Sequence, residues 1–149
     1  MKQPKSLEDL GIPDYLGTYL DFLDFRVVDA EPGFVRMEMP LNRQHTNTMG
    51  MAHGGIIMSM LDIAGAFSAH MHSDHDQVSI TVSQNTNFIR PVTGEVLVAE
   101  GRVVRRTGST AFTESHILDP SAGDNRETQL CAQGQCVFRL RDRDRAKVR

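Results

Sequence analysis

His53-Gly54-Gly55-Ile56-Ile57-Met58-Ser59-Met60-Leu61-Asp62-Ile63-Ala64-Gly65-Ala66-Phe67 is the stretch on which the fold turns. From Ile56 to Phe67 nearly every residue is apolar, and a helix that is apolar on almost all sides belongs inside a protein. The run falls short of the roughly 18 consecutive apolar residues of a membrane span, so it predicts a buried central helix. Two glycines at its start let another group come close to the backbone. The first helical turn adds unpaired N–H donors and the positive end of a dipole, a combination that suits an oxyanion or a phosphate. A plain loop-to-helix turn also uses such a pair. Asp62 shifts the balance, because a carboxylate in an apolar helix is costly to bury unless it is paired or functional. From Gly54 to Asp62 is eight residues, about two turns, so the acid lies on roughly the face of the helix start. Taken alone, it is also explained by a bond to a neighbouring strand or to a partner subunit.

Outward from this helix the chain reads as strands. Phe25 to Ala30 and Phe34 to Pro40 flank the turn Glu31-Pro32-Gly33, which predicts an antiparallel hairpin. Val35, Met37 and Met39 alternate with Arg36 and Glu38, so one face of the second strand is buried. After the central helix, strands are expected at Val78 to Ile89, Val96 to Arg106, Thr110 to Leu118 and Thr128 to Phe138, separated by Pro/Gly/Asp-rich breaks. Before the hairpin, residues 1–24 form a polar leader and a short amphipathic helix over Pro13 to Phe25, with Tyr15, Leu16, Tyr19, Leu20 and Leu23 at helical spacing. Residues 139–149 alternate Arg and Lys with Asp and read as a solvated charged tail. The expectation is one domain over residues 1–149, of class α+β, with five or six antiparallel strands wrapped around one helix.

Asn47 stands six residues before His53, and the arrangement Asn-x5-His-Gly-Gly-x6-Asp on an apolar helix behind a hairpin resembles the phenylacetate-degradation (PaaI-like) group of hotdog-fold acyl-CoA thioesterases. The likeness continues through Asn87-Phe88-Ile89-Arg90-Pro91 and Val103-Val104-Arg105-Arg106-Thr107-Gly108 and closes in Ala132-Gln133-Gly134, covering about residues 25 to 138. The resemblance implies hydrolysis of an acyl-CoA thioester to a carboxylic acid and coenzyme A. Asn47 and the Gly54 N–H would polarise the carbonyl, with His53 organising that site. Asp62 would activate water or attack the carbonyl itself, and a hydroxyl on the following strand would orient the water. Thr81 fits that place best, with Ser83 beside it; by strand alternation Ser79, Thr81, Ser83, Asn85 and Asn87 share one face, as a solvated strand would also show. The resemblance further implies homodimers or dimers of dimers in which one chain supplies the donors and the other the acid. It brings the nucleotide of coenzyme A near Arg90 and near Arg105, Arg106, Gly108, Ser109 and Thr110, with Gly55, Ser83 and Phe88 also lining the substrate. Met58, Leu61, Phe67 and Phe88 are candidates for limiting acyl length.

Composition constrains the alternatives. With 40% hydrophobic and 23% charged residues and a formal net charge of -3, the chain is an ordinary globular one with no global pull toward nucleic acid or an anionic membrane. No apolar secretory segment opens it, so the cytoplasm is the expected compartment. Cys131 and Cys136 sit at an odd offset in one strand, on opposite faces, and read as reduced structural residues. His70-Met71-His72-Ser73-Asp74-His75-Asp76 holds metal-ligand types, but histidines at a helix end and turn residues after it explain the run, and no metal or redox cofactor is expected. Two other functions remain in view: hydratase or dehydratase chemistry on an acyl thioester, and a non-catalytic acyl-CoA binding module.

Overall fold

The computed structural model describes residues 5–72 and 77–146. Six strands form one antiparallel sheet: β1 (Arg26–Glu31), β2 (Phe34–Pro40), β3 (Gln77–Phe88), β4 (Val96–Thr107), β5 (Thr110–Leu118) and β6 (Leu130–Asp142), in the order β1-β2-β4-β5-β6-β3. The sheet wraps α2 (Gly54–Met71), the expected central helix, extended by a turn and more at its C-terminal end. This is the hotdog architecture, with six strands rather than five. By length and composition α2 is apolar enough to cross a membrane, yet most of it is buried here against the sheet.

Small inward-facing residues let the helix come down onto the sheet. A Cβ at Gly101 of β4 would lie 2.0 Å from the carbonyl oxygen of Ala64, and one at Gly65 would lie 2.6 Å from Thr113 Oγ1 and 3.0 Å from the Phe138 ring. Around this contact Val35, Met37, Met39, Met60, Leu61, Leu97 and Ile117 close the core. Cys131 and Cys136 are both buried and both free, the first covered by the 89–91 segment, whose Ile89 and Arg90 N–H groups donate to the Cys131 carbonyl.

Three expectations fail locally. The helix over Pro13 to Phe25 shrinks to α1 (Tyr19–Leu23), because Gly17 takes φ +73° and Asp14 φ 58°, left-handed conformations that no α-helix continues through. The leader is not simply polar: Leu7 and Leu10 are buried in the core, and Ser6 and Asp9 cap each other's N–H groups between them. The tail does not leave the fold at Arg139, since β6 runs on to Asp142, pairs with β3 and buries Leu140. The short helices α3 (Arg126–Gln129) and α4 (Arg143–Ala146) flank that strand.

Substituting Gly101 by Ala should destabilise the protein by about 3 kcal/mol or more, since the clash is with helix backbone and not with a side chain that can turn away. Chemical denaturation of the two proteins would check this; an unchanged midpoint would mean the helix is not held at that contact.

Candidate active site

Asp62 lies on the one stripe of α2 that the sheet leaves uncovered, with Gly55, Met58, Ser59 and Ala66. Its carboxylate is half-buried and meets β3, where the Thr81 hydroxyl donates to Oδ1 at 2.9 Å and reaches Oδ2 at 3.2 Å. Burial raises the Asp62 carboxyl above its ordinary value, and the Thr81 hydrogen bond only partly offsets that. Beneath it, burial and then the Asp62 charge push the Cys136 thiol up to about 11, which removes it as a nucleophile near neutral pH.

Thr81 owes its position to a β-bulge. The pairing of β3 with β6 slips between Thr81 and Ser83, leaving Val82 unopposed. Before the bulge the odd residues face the helix: Ser79 Oγ donates to the Ala66 carbonyl at 3.3 Å. After it the even ones do, with Gln84 Nε2 donating to the Met58 carbonyl at 3.0 Å. The row Ser79 to Asn87 therefore does not share one face, and Ser83 turns to the outer side of the sheet, away from Asp62. There, with Asn85 and Gln135, it borders a cleft of about 540 Å³ whose apolar walls are Val104, Phe112 and Val137.

The helix start is held by its own loop. Asn47 Oδ1 accepts the N–H groups of Met49 at 2.9 Å and Met51 at 3.2 Å, a backbone bridge joins Thr46 to Ala52, and the His53 N–H donates to the His45 carbonyl at 2.9 Å. His53 is the N-cap: its Nδ1 accepts the Gly55 N–H at 2.9 Å. The Gly55 amide is thus used inside the turn and is not a substrate donor; a Cβ there would sit 3.1 Å from His53 Nδ1, so Gly55 makes room for the cap. Two donors remain without an acceptor among the described residues, the Gly54 N–H and the Asn47 side-chain amide. The Phe88 ring lies 3.7 Å from the Cβ position of Gly54 and borders this corner.

The other proposed contacts divide between the two ends of the chain's sheet. Arg90 lies by the helix start and donates to the Thr128 carbonyl. Arg106 lies at the helix end, where it donates to the His72 carbonyl at 3.1 Å and to Gln77 Oε1 at 2.7 Å, with the Gly108-Ser109-Thr110 turn beside it. Arg105 is exposed past a second bulge, at Val104. In one chain these groups do not converge on one ligand. Among the residues suggested to limit acyl length, Leu61 and Phe67 are buried in the core, whereas Met58 and Phe88 are exposed. His70 uses both ring nitrogens within the chain, near the carbonyls of Leu10 at 2.8 Å and Gln77 at 3.1 Å; Ser73 to Asp76 of the histidine-rich run lie outside the described residues.

Comparison with known proteins points one way. The family model of the thioesterase superfamily matches residues 49–123. A Saccharolobus solfataricus protein that carries a provisional esterase name is 35% identical over 99 residues, covering 66% of this chain and 69% of the relative. Acyl-coenzyme A thioesterase 13 of Homo sapiens is 28% identical over 110 residues, covering 73% of this chain and 74% of its own. A thioesterase structure from Haemophilus influenzae superposes with a TM-score of 0.78 at 15% identity, covering 95% of this chain and 94% of the other, which speaks for the fold.

If Asp62 is a general base it acts only when ionised, so kcat/KM should then fall as pH drops through a pKa lying above the ordinary aspartate value. Removing the Thr81 hydroxyl takes away the contact that lowers this pKa, so Thr81→Val should move the acid limb of the pH profile to higher pH; a shift the other way would contradict the assignment. Folding raises the Asp62 pKa, so the ionised side chain costs stability above the folded value, a cost lost as pH falls through the unfolded value. Asp62→Asn should accordingly leave Tm at pH 7 unchanged or higher, measured by calorimetry.

Proposed function

The chain belongs to the thioesterase superfamily and is a thioester hydrolase, and we propose that its substrates are acyl-coenzyme A thioesters, cleaved to the free acid and coenzyme A at a site shared between two chains. One observation carries the shared site. The Gly54 N–H and the Asp62 carboxylate belong to the same rigid helix, eight residues apart, which is about 12 Å of rise. A carbonyl only about 1.2 Å long cannot have its oxygen on the first and its carbon beside the second. A second chain running the other way brings one donor corner to the other acid. The sheet offers a place for it: β3 is an edge strand twelve residues long, with Ile80, Val82 and Phe88 exposed, an arrangement that favours pairing with another strand. The same pairing would bring Arg90 of one chain toward the Arg105 to Thr110 turn of the other, giving the coenzyme a basic neighbourhood in a mildly acidic protein. The outer cleft at Val104, Phe112 and Val137 supports a further association into a dimer of dimers.

In this reading the Gly54 N–H and Asn47 amide, fixed before the reaction, take the charge that develops on the thioester oxygen, at about 3 kcal/mol for such a donor. Asp62 serves as general base. Thr81 donates to the carboxylate and fixes its plane, and the desolvation that raises its pKa makes it a stronger base than a free aspartate. Water attacks, the C–S bond breaks, and the proton taken by Asp62 passes to the leaving thiolate. The chemistry runs on the protein's own groups with no resident metal or redox cofactor. Two free buried thiols support a reducing, cytoplasmic setting.

Thiol release from acyl-CoA should fall by a factor of about 10² to 10⁴ in Asp62→Asn. The shared site has its own test. Asp62→Asn and Asn47→Ala, each nearly inactive alone, should regain about a quarter of wild-type activity when mixed and allowed to exchange subunits, because half the dimers then carry one intact site. Mixtures that stay inactive although mass spectrometry finds the heterodimer would place donor and acid in the same chain.

A further inference from the structure

The uncovered stripe of α2 is bridged toward its N-terminal end: the Tyr19 hydroxyl meets Ser59 Oγ at 2.8 Å, and Gln84 reaches over to the Met58 carbonyl. Toward the C-terminal end it opens. One turn beyond Asp62 stands Ala66, and two residues before Thr81 stands Ser79, so the Ala66–Ser79 pair repeats the Asp62–Thr81 pair one layer further along the same groove. At that layer the groove widens into a cavity of about 180 Å³ with apolar walls from Ile12, Ala66, Phe67 and Val78. Its polar border consists of groups already engaged within the chain. His70 lies between the carbonyls of Leu10 and Gln77, and Arg143 donates to the Gly11 carbonyl at 2.7 Å.

We propose that this cavity is the acyl subsite, and that Ile12, on the segment before α1, is the stop that sets acyl length. The inference rests on the thioesterase reading above, because it takes Asp62 as the place of the scissile carbonyl. Four residues of helix separate Asp62 from Ala66, about 6 Å, so an acyl group with its carbonyl at Asp62 enters only if its far end reaches about that distance. Acetyl is too short to reach it. A dry cavity of about 150 Å³ holds one benzene ring, so about 180 Å³ takes a ring or a chain of similar bulk and no more. The substrate class is therefore a compact acyl group on a short stem, such as hexanoyl or 3-phenylpropanoyl, in preference to acetyl or dodecanoyl. Ala66 is a small residue on the uncovered stripe of α2, and its size keeps the entrance open.

The test uses the full chain, with kcat/KM measured for acetyl-, hexanoyl-, 3-phenylpropanoyl- and dodecanoyl-CoA in the wild type, Ala66→Leu and Ile12→Ala. Ala66→Leu should lower the ratio of 3-phenylpropanoyl to acetyl turnover by about tenfold or more, and Ile12→Ala should raise the ratio of dodecanoyl to hexanoyl by a similar factor. In parallel, calorimetry on Asp62→Asn and on Asp62→Asn with Ala66→Leu measures binding of 3-phenylpropanoyl-CoA against coenzyme A alone. Hydrolysis with all ratios unchanged in both variants overturns the subsite and leaves the thioesterase reading intact. Acyl-dependent binding that Ala66→Leu weakens, without hydrolysis, upholds the subsite and removes the hydrolase reading. Neither hydrolysis nor acyl-dependent binding overturns both.

Discussion

A helix cannot be shortened. Once α2 is seated on the sheet at Ala64 and Gly101, the backbone positions of its first free N–H and of the residue that carries its carboxylate are fixed about 12 Å apart along the axis. The close contact makes that spacing rigid, because the helix backbone rests on strand backbone with no intervening side chain to give way. Asp62 is then met from outside the helix, on one side by Thr81 of the edge strand, and in the proposed reading on the other by the substrate and a second chain. The free flank of β3, which would be a liability in a monomer, is on the side where the acid waits.

The main elements were legible because each has a strong period. The apolar run after His53-Gly54-Gly55 could only be a core helix, and Val35, Met37 and Met39 could only be one face of a strand. Asp62 stood out as the single acid in that run. The bulge at Val82 was not legible, since Ser79-Ile80-Thr81-Val82-Ser83 alternates without a fault and nothing in it marks an extra residue. Hence Thr81 could be named as the hydroxyl that fits the water-orienting place best only through a resemblance, and the outward turn of Ser83 not at all. Arg106 shows the opposite limit: its charge suggested a phosphate, but its length lets it tie the helix end to Gln77. The tail misled through composition, where one apolar residue, Leu140, among arginines and aspartates was enough to add four residues to a strand.

The bulge also explains how one strand serves two surfaces. With strict alternation, a residue that faced Asp62 at position 81 would be followed by another facing inward at 83, and the outer face would receive Val82. The slip instead turns Gln84 and Thr86 inward and gives Ser83 and Asn85 to the outer cleft. The inner side thereby gains a side-chain amide that closes the groove over Met58, and closing that end is what leaves the Ala66 end as the way in. A local defect in pairing thus decides the direction of the groove.

His53 carries the last step. Its Nδ1 accepts the Gly55 N–H, so that nitrogen must present a lone pair, and the proton of the neutral ring sits on Nε2. The cap therefore fixes the tautomer as well as the turn. The ring is exposed, so the Nε2–H is a third donor at the corner that already holds the Gly54 N–H and the Asn47 amide. The two glycines differ: a Cβ at Gly55 would press on the ring that accepts from it, 3.1 Å from Nδ1, whereas one at Gly54 would meet the Phe88 ring at an ordinary 3.7 Å and leave the N–H in place. A loop that merely needed flexibility would not need its histidine to accept from the second glycine. A site that stabilises developing negative charge needs its donors held in place beforehand, and the cap supplies that.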